Sequence, residues 1–228
     1  MMDDFVGKHS WFEQAYRDRC GGRFATLKLA LNWFVQTHGQ TIVETGCVRH
    51  VGDFGAGYST VLFAELLYQR GGFLFSVDCS PTNVELASRL TDQFASARHI
   101  ITGDSRQFLQ SGLVEQPQFK GQVDLLYLDS YDYPIAELEY RYTPFQLRQR
   151  DDETIATECA DLVSAPQAHC LAELQAAWPY LHSRSIVLMD DNDFPGGGKP
   201  RLAKQRLAQA GWICLLDLQQ TVWVPPVA

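Results

Sequence analysis

The stretch Thr41-Ile42-Val43-Glu44-Thr45-Gly46-Cys47-Val48-Arg49-His50-Val51-Gly52-Asp53-Phe54-Gly55-Ala56-Gly57-Tyr58-Ser59-Thr60 decides how this chain is read. A β-branched apolar run, Thr41 to Val43, delivers an acid and a glycine at Glu44 and Gly46. A second glycine cluster, Gly55 to Gly57, then runs into the helical pattern Val61 to Arg70. This is a strand, a glycine loop and a helix start. Glycine lets backbone approach a ligand closely, Ser59 or Thr60 can cap the helix, and the free N–H groups of its first turn favour anionic or polar ligand atoms. The stretch reads as the nucleotide-binding turn of an α/β domain. A plain glycine-containing loop has the same local pattern, so the reading depends on the strands that follow.

Those strands come at regular intervals. Gly71-Gly72 stops the first helix, and Phe73 to Val77 is a continuous apolar run closing on Asp78, as suits a parallel strand buried on both faces. Ser80-Pro81, serine at the cap and proline at the first helical position, opens a helix running to about Phe94. Residues 98–102 form a third strand with the turn Gly103-Asp104-Ser105 and a short helix to about Gln110. Residues 123–128 form a fourth closing on Asp129, and 185–189 a fifth closing on Asp190-Asp191. Alternating strands and helices imply βαβ units and a mostly parallel sheet. About fifty-five residues separate the fourth and fifth strands, more than one crossover helix needs. The helix leading back to the fifth strand is expected over 166–181, and the surplus, 131–165, reads as a lid or substrate-binding insertion. Before the sheet, helices are expected over 5–20 and 24–37, an N-terminal extension of residues 1–38. At the other end, 212–218 and 221–224 are two strand-like segments too close for a crossover helix, and must pair antiparallel as a hairpin.

Composition narrows the function. A length of 228 residues leaves one or two domains open, and the lack of a Pro/Gly/Ser-rich linker favours one. A formal net charge of −8 argues against nucleic acid or an acidic membrane as partner, because phosphate affinity comes chiefly from Lys and Arg. The acids among residues 1–20 break the basic-then-apolar order of a signal peptide, and no apolar run approaches a membrane span. Six cysteines with no C-x-x-C pair fit neither a zinc cluster nor a disulfide framework. A reduced, cytoplasmic protein is expected; a homo-oligomer remains open.

In an open parallel sheet, ligands lie outside the carboxyl ends of the strands. Five consecutive strands carry an acid there: Glu44, Asp78, Asp104, Asp129 and Asp190-Asp191. One such acid means little, since Asp also starts turns and caps helices; five in register are harder to dismiss. Asp78 follows the glycines by about twenty residues, the spacing at which a carboxylate accepts from ribose hydroxyls.

On these pieces the chain resembles the class I S-adenosylmethionine-dependent methyltransferases over nearly its full length. The motifs are Val43-Glu44-Thr45-Gly46 with Gly55-Ala56-Gly57-Tyr58-Ser59-Thr60, Phe75-Ser76-Val77-Asp78, Gly103-Asp104-Ser105, Leu126-Tyr127-Leu128-Asp129 and the closing hairpin. The resemblance implies an α/β fold: a seven-stranded, mostly parallel Rossmann-like sheet with a C-terminal antiparallel hairpin and helices on both faces. It implies S-adenosylmethionine as cofactor, with Glu44 and Gly46 bordering the methionine part, Asp78 at the ribose, and Asp104 with Ser105 at the adenine; Gly57, Ser59 and Thr60 complete the expected cofactor set. The family's loop after the first strand is compact, whereas Cys47 to Phe54 reads as an insertion here, through which Arg49 or His50 can reach the site.

At the acceptor side, Asp129, Asp190 and Asp191, followed by Asn192 and Asp193, are similar to the ligands of Mg²⁺-dependent O-methyltransferases of the catechol and macrocin type. A hard cation needs carboxylate or carbonyl oxygens and can hold a substrate hydroxyl as its alkoxide. The plainer alternative is a turn-forming acidic loop. Catechol methyltransferases carry a lysine just after the first metal aspartate; Ser130-Tyr131-Asp132 stands there in this chain, so that base is absent. His169, expected in the first turn of the helix preceding the fifth strand, is a substitute base, or else a surface histidine paired with Glu173. Lys199 follows Pro195-Gly196-Gly197-Gly198, which is not a phosphate-binding P-loop because Asp193 stands where that motif demands glycine; a flexible loop, or one closing over substrate, is expected. Tyrosines 127, 131, 133, 140 and 142 with Phe145 suit an aromatic or largely apolar acceptor, and sugar hydroxyls stay open. The expected activity is methyl transfer to a small-molecule hydroxyl with divalent-metal assistance, Asp129 and His169 being the candidate catalytic residues. The alternatives are metal-independent transfer with His169 as base, a non-catalytic cofactor-binding protein of the same fold and, less favoured, a nicotinamide-dependent oxidoreductase, against which the terminal hairpin and the missing G-x-G-x-x-G speak.

Overall fold

A computed structural model describes residues 11–226. Helices α1 (Trp11–Cys20) and α2 (Phe24–Gln36) precede a seven-stranded sheet. Its strands are β1 (Thr41–Thr45), β2 (Phe73–Asp78), β3 (Arg98–Thr102), β4 (Leu125–Leu128), β5 (Ile186–Met189), β6 (Ile213–Asp217) and β7 (Thr221–Val224). They lie in the order β3-β2-β1-β4-β5-β7-β6, with β1 to β5 parallel and β7 antiparallel to both β5 and β6. The expected fold class and terminal hairpin are therefore present. The part of the expected first helix that precedes residue 11 lies outside the described residues.

Period-two alternation within each strand sends side chains to opposite faces. Ile42, Leu74, Leu125, Ile186 and Leu188 pack against α2 and α3 (Ser59–Arg70), whereas Val43, Phe75, Leu126, Val187 and Met189 pack against α9 (Ala160–Ala177) and α10 (Arg201–Gln209). The helices start and stop where local chemistry dictates. Ser80 caps α4 (Pro81–Leu90), its hydroxyl accepting from the Asn83 N–H; Gly71, at φ +81°, ends α3 with its N–H on the Leu67 carbonyl. Helix α4 stops four residues short of Phe94, because the Thr91 hydroxyl donates back to the Ala87 carbonyl and a 3₁₀ segment follows. The helix after β3 begins as α5 (Ser105–Gln107) and widens into a π-turn over Phe108–Gly112.

The surplus between β4 and β5 folds into three short helices, α6 (Ile135–Arg141), α7 (Pro144–Gln149) and α8 (Asp152–Glu158). Tyr133, Leu138, Ile155, Cys159 and Val163 give this insertion a small core of its own. Helix α9 begins at Ala160, upstream of the expected start, and Pro166 lies inside it. Among the described residues, no helix is long and apolar enough to cross a membrane.

Candidate functional site

The parallel registers pair Thr45 with Val77 on one side and Leu128 on the other, and Leu128 with Met189. The next residues, Gly46, Asp78, Asp129 and Asp190, therefore meet along one edge of the sheet. Backbone hydrogen bonds continue past the strands there: the Gly46 N–H donates to Val77, Asp129 to Thr45 and Asp190 to Leu128. Between β1 and β4 the chain changes direction across the sheet, and at such a switch point the two adjoining loops diverge and leave a crevice. A cavity of ≈ 910 Å³ opens at this place.

Two glycines shape its floor. Gly46 has φ +81°, and a Cβ there would stand 2.6 Å from the Asp129 carbonyl oxygen; Gly57 has φ +79°, and its Cβ would stand 2.6 Å from the Cys47 carbonyl oxygen. Both positions need a left-handed backbone and a bare α-carbon. The Cys47–Phe54 insertion thus closes on itself, with the Arg49 N–H bonded to the Ala56 carbonyl at 2.7 Å, and brings the second glycine cluster beside the first.

Of the residues expected at the site, Gly46, Gly57, Asp78, Asp104, Ser105, Asp129 and His169 line the cavity. The Asp78 carboxylate accepts from the N–H groups of Cys47 (3.0 Å) and Ser80 (2.8 Å) and from the Asn83 amide, so it is rigidly presented. Asp104 caps α5, and the Arg106 guanidinium beside it holds its carboxyl down to about 2. His169 Nε2 lies 3.2 Å from the Ser105 hydroxyl and 3.3 Å from Glu173, and its ring packs against Tyr131. Glu173 is buried and also accepts from the Ser130 hydroxyl, so the pair is built into the cavity wall rather than exposed on a helix surface. Asn83, Arg49, Arg106, Tyr131 and Asp132 line the cavity as well, with Arg49 paired to Asp132.

Three expected cofactor contacts lie beneath the floor instead. Glu44 shares the parity of Ile42 and so turns toward α3, fully buried, where the Ser59 and Ser76 hydroxyls each donate to it at 2.6 Å. Burial pushes its carboxyl up to about 8, against the pull of those hydroxyls. The Thr60 hydroxyl accepts from the Val48 N–H and donates to the Gly57 carbonyl. Glu44, Ser59 and Thr60 brace the glycine loop without facing the cavity.

The acids at β4 and β5 are likewise not arranged around an open centre. The Lys199 ammonium sits between them, 3.1 Å from Asp129 and 3.2 Å from Asp191. Asp190 is taken by Arg23, whose Nε donates to both carboxylate oxygens (3.1 and 2.8 Å), by the Tyr127 hydroxyl (2.6 Å) and by the Gln220 amide (3.1 Å). Burial opposes ionisation of Asp190, but Arg23 and then Lys199 hold its carboxyl below the usual range. Burial and the charge of Asp190 push Asp129 up to about 7, against Lys199. Asp191 is held by Lys199, and the Asn192 amide donates to Asp217 and to the Leu218 carbonyl. A divalent cation needs several oxygens converging with lone pairs to spare. Here two cationic side chains already use them, and among the described residues no group of three or more His, Cys, Asp or Glu side chains is placed to hold a metal ion. The expected Asp129, Asp190, Asp191 metal set therefore does not fit.

Lys199 and Arg23 are the residues that sequence reasoning misplaced or missed. The glycines before Lys199 marked an unusual loop, but nothing local showed that it folds inward. Arg23 is 167 positions from its partner and carries no signal.

No family model matches this sequence, and no curated protein matches it. Solved structures do. The calicheamicin methyltransferase CalS11 aligns over 96% of this chain and 81% of its own at 17% identity, with a TM-score of 0.54. Its apo form, described as a TDP-rhamnose 3′-O-methyltransferase, gives 96%, 82%, 16% and 0.57. The Podospora anserina methyltransferase PaMTH1, solved with S-adenosylhomocysteine, aligns over 95% of this chain and 85% of its own at 13% identity and TM-score 0.52. At such identities the likeness shows the fold, and it is the fold implied by the sequence resemblance.

Proposed function

We propose that this chain is an S-adenosylmethionine-dependent methyltransferase acting on a hydroxyl oxygen of a small molecule. The observation that carries the reading is the cavity at the β1/β4 switch point, lined by Gly46, Asp78, Asp104, Ser105, Asp129, Tyr131 and His169. Its size is that of a small-molecule site. The similarly folded TDP-rhamnose 3′-O-methyltransferase CalS11 accords with this choice of acceptor.

When bound, the cofactor supplies an electrophilic methyl on a sulfonium sulfur. The chain's own work is positioning and proton removal. Asp78 accepts from ribose hydroxyls, and bare Gly46 and Gly57 let backbone N–H and carbonyl groups approach the methionine end. The insertion 131–165 supplies Tyr131 and Asp132 to the cavity rim, and we assign it to the acceptor. As the acceptor oxygen takes the methyl, its proton passes to a side chain of the wall. His169, backed by buried Glu173, has the base-and-orienter arrangement this requires, and Asp129 is the second proton acceptor within the same wall. Holding the oxygen in line with the methyl accounts for most of the rate.

The test is calorimetric titration with S-adenosylmethionine and S-adenosylhomocysteine. It is followed by incubation with a panel of phenols and sugars in chelator, monitoring S-adenosylhomocysteine release. Micromolar cofactor binding and turnover of at least one hydroxyl acceptor are expected. No cofactor binding by the folded protein refutes the reading.

A further inference from the structure

We propose that Lys199 is a resident cation which takes the place of a divalent metal at the carboxyl ends of β4 and β5, so that methyl transfer by this chain is independent of divalent ions. The proposal rests on the methyltransferase reading for its chemistry, but its structural core is separate from it.

The ammonium bridges Asp129 and Asp191, one acid from the end of each neighbouring strand, and its side chain is 2% exposed. Burying a lysine costs several kcal/mol unless it is paired, so a lysine held this deep must be placed by its surroundings. The placement comes from the three glycines before it. Gly196, Gly197 and Gly198 all have positive φ (+81°, +81° and +62°), and a Cβ on Gly198 would lie 2.0 Å from the Asp191 carbonyl oxygen. Only glycine permits so close a return. The Lys199 N–H then bonds to that same carbonyl at 3.2 Å.

The loop is fastened from outside as well. The buried Gln167 amide on α9 donates to the Gly196 and Gly198 carbonyls at 3.0 and 3.2 Å. From the insertion, the Tyr133 hydroxyl donates to the Pro195 carbonyl at 2.6 Å, and the Asp152 carboxylate accepts from the Gly196 N–H at 3.0 Å. The glycine run is a fixed mount for one ammonium, not a flexible lid.

A divalent ion entering here must displace a buried ammonium already paired to both carboxylates. Asp129 faces the cavity and Lys199 does not, so the lysine acts on the acceptor only through Asp129. It is a positioning residue: it fixes Asp129 Oδ1 and supplies the positive charge that the two acids otherwise demand from solution.

The experiment uses the full chain stripped with chelator, Mn²⁺ as probe read by electron paramagnetic resonance, and S-adenosylhomocysteine binding by calorimetry in parallel. Wild type is expected to show no saturable Mn²⁺ binding below the millimolar range and to bind S-adenosylhomocysteine equally with and without chelator. Lys199→Ala, which leaves the carboxylates facing an empty space, is expected to gain a Mn²⁺ site at least tenfold tighter than any in wild type. That site is expected to be lost again in K199A/D129N. A merely structural lysine predicts no such gain. Micromolar Mn²⁺ binding by wild type that is lost in Asp129→Asn overturns the proposal, as does a folded K199A that gains nothing. Should K199A fail to fold, the wild-type and D129N titrations decide alone. Failure to bind S-adenosylhomocysteine with Mn²⁺ behaving as expected refutes the methyltransferase reading and leaves the cation assignment standing.

Discussion

Replacing Glu44 with glutamine removes a carboxyl that is fully buried beneath the cavity floor and keeps its shape and its two serine partners. In the folded protein this carboxyl titrates at about 8, against 4.5 for an ordinary glutamate, because burial penalises the charged form more than the hydroxyls of Ser59 and Ser76 support it. The sign follows from proton counts. Below pH 4.5 both states hold the proton and Glu44 costs nothing. Above that, the unfolded chain releases the proton while the native state retains it, so stability falls as pH rises until the folded group ionises near 8. Each pH unit inside the window is worth about 1.4 kcal/mol, so between about pH 5 and 8.5 wild type should lose on the order of 4 kcal/mol relative to E44Q. For a chain of this size that corresponds to roughly 8–16 °C in melting temperature. Urea denaturation of both proteins at several pH values across this window reads it directly, since every other titration cancels in the difference. Curves that stay parallel within about 1 kcal/mol would refute the argument, because they would mean that Glu44 ionises as it does in water.

Other perturbations reach the site itself. Asp78→Asn halves the charge-assisted acceptors offered to ribose hydroxyls and should weaken S-adenosylhomocysteine binding by roughly 10- to 100-fold in a calorimetric titration; a change under about threefold would remove Asp78 from the cofactor site. His169→Ala should lower kcat by about 10²–10⁴ while leaving the dissociation constant for S-adenosylhomocysteine unchanged, and near-normal turnover would pass the proton to Asp129 alone. Gly46→Ala forces a side chain into φ +81° and toward the Asp129 carbonyl at 2.6 Å. The strain alone should cost about 1–3 kcal/mol, read as a lower urea midpoint, and an unchanged midpoint would contradict the close approach of β1 and β4 at the floor.

The alternation of glycine turns, apolar runs and closing acids was enough to determine the mostly parallel sheet and its closing hairpin, while the strand order β3-β2-β1-β4-β5-β7-β6 came from the structure. Such features are local: a strand's period and a turn's glycine are written in neighbouring residues. The same pattern marked Gly46, Gly57, Asp78, Asp104, Ser105, Asp129 and His169, all of which line the cavity. It did not separate an acid at the rim from one beneath it. Glu44 stands two residues before Gly46, and only the parity of β1, once the helix over that face is known, turns it away from the cavity and into the hydroxyls of Ser59 and Ser76.

What tertiary structure alone decided is the charge state of the acidic edge. From sequence, Asp129, Asp190 and Asp191 form three carboxylates in want of a cation, and a metal is the natural supply. In the folded chain Arg23 arrives from the segment between α1 and α2, and Lys199 from a glycine loop bent back on itself, and together they provide the positive charge. Coulombic partners are chosen by distance in space, which sequence spacing does not encode over such separations. A residue 167 positions away can be the nearest cation, and here it is.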